Sequence, residues 1–369
     1  MKLKRLITTV ALTIGATAWA SVALATEILY GSYLPPKHGN NKYGLERFFK
    51  AAKAEAPEIK FNFASGGAIV GAKTTLAGIR DGVVDAGIVV SLYHPDDLPN
   101  NSVITDLATF GDNAAANAGA ANETTLLNCP ECMAEWEKWN IKHLGAYSTT
   151  GYRLICAKPI KSLDELAGKK IRGAGTFGRW ITTIGAIPVN IPVTEVYEGL
   201  QRGQIDCTVG SPGWMKSFSF WDVAKYILDV PSGAYFGGSL INLSTKKWAA
   251  LSNKEKKAYI NAAPAGVRGA TVDGYIGDDA RAAEQFKERG IQVFTPDPRV
   301  LQALEKHRKN EIAIVIETAK KRGVKDPEKI VNAFLSNLKK WEKIVRDIKA
   351  DPDKYEEALR REIYSKVNF

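Results

Sequence analysis

The sequence predicts an α/β protein built as two similar lobes, and three observations carry that prediction. Short apolar strand-like runs alternate with helical patterns from Glu27 onward, and strand, helix, strand, helix implies parallel sheets. One αβ pattern occurs twice, as Gly78-Ile79-Arg80-Asp81-Gly82-Val83-Val84-Asp85-Ala86 and as Gly199-Leu200-Gln201-Arg202-Gly203-Gln204-Ile205-Asp206-Cys207. The chain of 369 residues is also long enough, at roughly 150 residues per domain, for two lobes that each bury a core.

The elements follow in order. Lys2, Lys4 and Arg5 precede an apolar stretch from Leu6 to about Ala20 and then Ala23-Leu24-Ala25, the layout of a secretory signal peptide cut after Ala25. Later in the chain no apolar run reaches the ~18 residues of a membrane span, so a water-soluble exported protein is expected. A first strand runs from Glu27 to Tyr33 and breaks at Pro35-Pro36. Leu45, Phe48, Phe49 and Ala52 then have the i, i+3, i+4, i+7 spacing of a buried helical face. Ile59, Phe61 and Phe63 alternate as a second strand, Gly66-Gly67 turns the chain, and a helix covers Ile69 to Arg80. In both copies of the repeat a glycine, Gly82 or Gly203, is placed to take the left-handed helix-ending position before a buried strand with Asp at its mouth.

A second lobe opens near Gly151, with a strand at Tyr152–Ala157. Ser162-Leu163-Asp164-Glu165 forms a capping box, and a strand at Lys169–Gly173 carries Arg172 at its end. A helix from Phe177 to Ile184, strands at Ile187–Val189 and Ala224–Val230, and a helix capped by Ser252 and Glu255 follow. Further helical patterns occupy Pro298–Lys321, Asp326–Ile348 and Asp351–Tyr364. The reading assigns 1–25 to the signal, 26–150 with about 239–290 to lobe I, 151–238 with about 291–345 to lobe II, and 346–369 to a C-terminal helix. The helices are expected to pack back across both lobes.

Charge and motifs exclude several function classes. The signal supplies three of the +10 formal charges, and the remaining basic residues interleave with acidic ones, as in Lys339-Lys340-Trp341-Glu342-Lys343. That is a solvated helix face and not a nucleic-acid footprint. His38, His94, His143 and His307 are scattered, with no partner at metal-ligand spacing, so no metal or other cofactor is expected. Nucleotide-binding and nucleophile-elbow motifs are missing. The chain is therefore read as a non-enzyme, expected to be monomeric. Cys129-Pro130-Glu131-Cys132 keeps an exported thiol-redox protein as an alternative, but its position deep in the chain favours a local disulfide. Cys156 and Cys207 fall in predicted strands and read as buried thiols, with a bond between them left open.

One region carries a resemblance. Gly151-Tyr152-Arg153, Lys158-Pro159-Ile160, Leu163-Asp164-Glu165-Leu166-Ala167-Gly168-Lys169-Lys170-Ile171-Arg172, Gly185-Ala186-Ile187-Pro188-Val189, Glu195-Val196-Tyr197-Glu198-Gly199-Leu200-Gln201-Arg202-Gly203-Gln204-Ile205-Asp206 and Lys225-Tyr226 follow in order. This series resembles the DctP-type substrate-binding subunit of TRAP transporters, with weaker similarity from about Glu27 to Trp248. The resemblance implies a two-lobed periplasmic binding protein fold, with hinge strands and a long helix between lobes that close on a carboxylate. It implies delivery of that small organic anion to small and large membrane subunits, driven by an ion gradient. An ABC-type periplasmic binding protein, which shares the hinged architecture, is the alternative class.

By the same resemblance Arg172 would grip the ligand carboxylate and Arg153 would assist, and Asn242 matches a polar position near the ligand. Arginine suits the task because its planar fork gives two parallel charge-assisted hydrogen bonds, and Arg172 stands at a strand's C-terminal end, where open α/β sheets place ligands. Trp214, in the Gly-rich loop Ser211-Pro212-Gly213-Trp214, and then Phe177 are the aromatic candidates. They favour an aromatic or otherwise apolar acid (a carboxylate, or a sulfonate) over a small dicarboxylate. Ser91 and Tyr93 follow the first-lobe strand Val84–Val90 and would close from the other side, while Arg179 is expected to be exposed or to line the cleft.

Overall fold

The computed structural model describes residues 26–367; the signal peptide assigned to 1–25 lies outside them. The strands are β1 (Thr26–Gly31), β2 (Ile59–Ala64), β3 (Ala86–Gly87), β4 (Ile141–Ser148), β5 (Arg153–Cys156), β6 (Lys170–Arg172), β7 (Ile187–Val189), β8 (Cys207–Gly210), β9 (Tyr226–Leu228), β10 (Phe236–Ser244) and β11 (Gln292–Phe294). They make three sheets. The first has the order β2-β1-β3 and is parallel; the antiparallel pair β10-β4 is attached to it by the Val89–Ser239 bridge. The third, with the order β11-β9-β5-β8-β6-β7, is the sheet of the second lobe.

The sequence repeat is a structural repeat. Gly82 and Gly203 have φ of 76° and 66°, the left-handed region that an unbranched Cα enters without strain. Each lets the chain fold back: Val83 N–H donates to Gly78 O at 2.8 Å and Gln204 N–H to Gly199 O at 2.9 Å. Asp85 and Asp206 then do the same thing. The Asp85 carboxylate accepts the Leu29 N–H at 2.8 Å while the Asp85 N–H donates to Leu29 O. The Asp206 carboxylate accepts the Lys170 N–H at 2.8 Å while its own N–H donates to Lys170 O. Each aspartate thus sets the register of β3 on β1, or of β8 on β6. Both capping boxes, Ser162 with Glu165 and Ser252 with Glu255, are formed.

Four segments pass between the lobes, the last being the helix Pro298–Lys321. Residues 149–152 and 229–235 run side by side and bond to each other, with Tyr152 N–H to Gly233 O at 2.6 Å and Thr149 N–H to Tyr235 O at 2.8 Å. The third is a continuous helical run, Asn253–Arg268, Gly269–Ile276 and Gly277–Phe286, whose length at ~1.5 Å per residue is ample for crossing both lobes. Several expected elements are shorter than predicted. The strand expected over Val84–Val90 is only Ala86–Gly87, and the helix expected from Ile69 begins at Thr75 because turns occupy the approach.

The C-terminal helices differ from the sequence grouping. Pro327–Asp347, grouped with lobe II, packs on lobe I. Phe334 stacks on Phe236 of β10 at 4.8 Å, and the Trp341 indole donates to the buried Glu123 at 2.7 Å. Amphipathic spacing identifies which face of such a helix is buried; it carries no information about the partner. Pro298–Lys321 does bridge the lobes, since Glu311 bonds Thr176 and Arg179 while Arg308 bonds the Thr109 carbonyl.

Both cysteine pairs are disulfides. Cys129–Cys132 is the local bond expected, and its sulfurs are buried, with Cys129 and Cys132 at 1% and 0% exposure. The reading of Cys156 and Cys207 as thiols is corrected. They are directly opposed residues of antiparallel β5 and β8, with Cα atoms 4.0 Å apart, and separation in sequence concealed that pairing.

Asp85→Ala and Asp206→Ala should each lower stability by about 1–3 kcal/mol, the cost of leaving a strand N–H without its acceptor. Asp81→Ala, which removes an exposed, solvent-screened ion pair with Arg80, should leave the unfolding midpoint essentially unchanged. Urea unfolding followed by circular dichroism measures the difference.

Candidate functional site

Arg172 ends β6, and the parallel strands β7 and β8 flank it, so its side chain leaves the sheet at the C-terminal edge. It is 4% exposed. Its Nε donates to the Ile191 carbonyl at 2.9 Å and its Nη2 to the Tyr93 hydroxyl at 3.0 Å. No aspartate or glutamate among the described residues forms an ion pair with it. Desolvating a cation without a counter-ion is strongly unfavourable, which leaves this guanidinium able to pair with an anion. Tyr93 reaches it from lobe I, in the turn Ser91–Tyr93 after β3. The Tyr93 oxygen also accepts the Val193 N–H at 3.2 Å, so one phenol joins the two lobes across the site.

A narrow cavity adjoins Arg172. Its wall is a chain of rings. Tyr152 meets Phe177 at 5.0 Å and Trp214 at 5.1 Å; Trp214 meets Phe218 at 5.7 Å edge-on; and Phe218 meets His38 at 5.3 Å. Tyr33, Tyr147, Tyr235 and Tyr275 also line it, with Val90, Leu92 and Val193 supplying aliphatic surface. Burial raises the pKa of Tyr33, Tyr147, Tyr152, Tyr235 and Tyr275, so these phenols stay neutral. Burial pushes His38 down to about 3, so it too is uncharged. Arg172 is therefore the permanent charge of the lining, in surroundings where each electrostatic contact counts for more than in water.

The Trp214 ring lies flat against β8, since a Cβ on Gly210 would come within 2.3 Å of it. Its loop is held by Asp279 of the long helix, whose carboxylate accepts the Ser211 hydroxyl and the Gly213 N–H, both at 2.6 Å. The Trp214 indole nitrogen and the Tyr235 hydroxyl have no partner of good hydrogen-bond geometry, although Tyr275 and Ser91 respectively lie close.

Of the residues singled out from the sequence, Arg172, Tyr93, Trp214 and Phe177 line this cavity together. The others lie elsewhere. Arg153 does not line it; its guanidinium pairs with Asp229 and donates to the Gly151 and Tyr152 carbonyls. In an extended chain neighbours face opposite ways, and it is Tyr152 that faces inward. Ser91 is fully buried and its hydroxyl is 3.4 Å from that of Thr105. Asn242 is fully buried within the first-lobe sheets, where its amide bonds Gly87 on both sides at 3.1 and 2.7 Å and Ser239 at 2.9 Å; it joins β10 to β3. Arg179 is held by Glu311 and anchors the helix carrying Phe177. Sequence reasoning missed His38, Tyr33, Tyr147, Tyr152 and Tyr275. His38 was available to it, because the loop Pro35–Gly39 follows the C-terminal end of a parallel strand just as Arg172 does.

Tyr93→Phe removes the acceptor shared by Arg172 and Val193. A buried hydrogen bond to a charged group is worth about 1.5–3 kcal/mol, so ligand affinity should fall by roughly tenfold or more, measured by isothermal titration calorimetry. The ligand-free variant should show a larger radius of gyration in solution scattering, because a contact between the lobes is lost.

A family model described as bacterial extracellular solute-binding protein, family 7 (DctP), matches residues 31–318. Among curated proteins, the 2,3-diketo-L-gulonate-binding periplasmic protein YiaO of Escherichia coli is 24% identical over 287 residues, 76% of this chain and 85% of that protein. Among solved structures, a marine metagenome TRAP solute-binding protein specific for aromatic acid ligands, crystallised with 3-hydroxybenzoate, superposes with a TM-score of 0.76 at 22% identity, covering 86% of this chain and 99% of that one. A TRAP solute-binding protein from Rhodoferax ferrireducens with copurified benzoate has a TM-score of 0.76 at 17% identity, with coverage of 86% and 99%. These likenesses show the same two-lobed fold. With the family model spanning most of its length, the chain belongs to the DctP family, family 7 of bacterial extracellular solute-binding proteins.

Proposed function

We propose that the chain captures an aromatic monocarboxylate in the cleft between its lobes and hands it to the small and large membrane subunits of a TRAP transporter. The observation that carries this reading is the buried Arg172 with no carboxylate partner, set in an otherwise uncharged aromatic wall. One permanent cation balances one carboxylate. A small dicarboxylate would bring a second charge to neutral tyrosines and a neutral histidine, and desolvating it there is unfavourable. An aromatic ring instead gains area burial and ring-to-ring contacts of about 0.5–1.5 kcal/mol each. The aromatic acids held by two proteins of the same fold agree with this choice, while YiaO is named for a different acid, 2,3-diketo-L-gulonate.

The protein would act by binding and release without turnover, outside the cytoplasm after cleavage of residues 1–25. No helix of the described residues is long and apolar enough to cross a membrane. The thiol-redox alternative is disfavoured because the Cys129–Cys132 sulfurs are buried in the folded protein, and thiol exchange requires access.

Benzoate, hydroxybenzoates and mandelate should raise the melting temperature as binding mass action requires, and succinate and malate should not. Tighter binding of a dicarboxylate would overturn the reading. Arg172→Ala should weaken aromatic acids at least a hundredfold in calorimetry while leaving the ligand-free melting temperature within a few degrees; unchanged affinity would remove Arg172 from the site.

Affinity should also be flat between pH 6 and 9, changing less than about twofold. His38 takes a proton only near pH 3 and the buried phenols lose theirs only above the ordinary range, so the lining does not titrate in that window, and arginine stays charged. Calorimetry across the pH series checks this.

A further inference from the structure

His38 is 2% exposed, lines the ligand cavity, and has a defined tautomer. The Asn40 backbone N–H points at its Nδ1 at 3.2 Å. A backbone amide can only donate, so Nδ1 is the acceptor, and in a neutral ring the proton then sits on Nε2. Burial keeps the ring neutral. No protein acceptor among the described residues takes the Nε2 proton. The ring is held edge-on between Phe218 at 5.3 Å and Tyr275 at 5.6 Å, and Pro35 O accepts the His38 N–H at 2.9 Å, so the side chain is fixed from both sides.

Its position relative to the carboxylate grip follows from the ring chain. From Tyr152, which lies close enough to Arg172 to feel its charge, the wall passes through Trp214 and Phe218 before reaching His38. An aromatic ring anchored by its carboxylate at Arg172 therefore has wall to lie along before its substituents meet His38. There the wall turns polar, with Ser211, Ser217 and Asp278 beside His38, Trp214 and Tyr275. Asp278 pairs with Arg281 at 2.8 Å and brings a carboxylate to this end of the site.

We propose that His38 is a specificity-determining residue, donating from Nε2 to an uncharged oxygen substituent of the bound acid, so that hydroxy-substituted aromatic monocarboxylates are preferred over unsubstituted ones and over aromatic dicarboxylates. The inference rests on the aromatic-acid reading above. The donor rewards a hydroxyl oxygen. A second carboxylate in the same place would be desolvated against a neutral ring that cannot balance its charge.

Calorimetry of the full mature chain with benzoate, 3-hydroxybenzoate, 4-hydroxybenzoate, isophthalate and terephthalate tests this. The wild type should bind at least one hydroxybenzoate tenfold or more tighter than benzoate, and both dicarboxylates more weakly than benzoate. His38→Phe should abolish the hydroxyl preference, so that benzoate and the hydroxybenzoates bind with equal dissociation constants, and His38→Gln, which keeps an N–H donor, should retain part of it. Equal wild-type affinity for benzoate and both hydroxybenzoates overturns the inference while leaving the aromatic-acid reading intact, and so does a full preference persisting in His38→Phe. Failure of all five acids to bind the wild type overturns the aromatic-acid reading itself. The wild-type ranking decides the question even where a variant fails to fold.

Discussion

A guanidinium shut away from water with no carboxylate beside it is a cost that folding must carry, and at Arg172 the surrounding architecture is arranged around that cost. The strand end sets the side chain at the C-terminal edge of the sheet. The Ile191 carbonyl and the Tyr93 hydroxyl satisfy two of its donor directions with neutral oxygens, which orient the fork without neutralising it. A carboxylate in place of either would give a structural ion pair and end the site. Neutral partners leave the charge available, and the ligand is the missing half of the pair.

Holding that geometry requires two lobes to agree, and the repeated αβ corner explains how. Gly82 with Asp85, and Gly203 with Asp206, turn helix into strand in the same way in each lobe, so each lobe offers the loop after its strand to the cleft. From one comes Tyr93 and from the other Trp214. The connections between the lobes also bear on the site: Asp279 of the long helix clasps the Trp214 loop through Ser211 and Gly213, and Ser211 lies 2.9 Å from Thr150 in the hinge. Movement of the lobes and placement of Trp214 are therefore mechanically linked, because the groups that set the hinge also set the ring.

Much of this was legible in the residues. The alternation of periods pointed to the α/β class, the family resemblance together with the strand-end rule led to Arg172, and aromatic or strand-following positions led to Phe177, Trp214 and Tyr93. What escaped was information that needs a third dimension. Arg153 was carried over from the family's motif, whereas the facing of Tyr152 and Arg153, neighbours in an extended segment, depends on register. Asn242 was a polar residue in the right neighbourhood, yet its amide is consumed by Gly87 and Ser239. Cys156 and Cys207 are far apart in sequence and opposed in the sheet. Pro327–Asp347 displays its buried face clearly, but only the tertiary fold supplies Phe236 and Glu123 to meet it.

The tyrosine-rich lining bears on how such a site can be selective while staying dry. Each phenol presents an apolar face and a hydroxyl at its edge, so the wall can bury a ring and still offer polar contacts at few positions. Because burial holds these hydroxyls and His38 in their neutral forms, polar recognition here adds no charge. The electrostatic balance is then set by Arg172 alone, and the neutral donors distinguish among ligands that all satisfy it. A lining with a second lysine or arginine would shift the balance to dicarboxylates; one without the phenols would bind apolar acids with little discrimination. On the proposed reading, charge number is decided at Arg172 and substituent pattern along the aromatic wall, so the two kinds of specificity could vary independently.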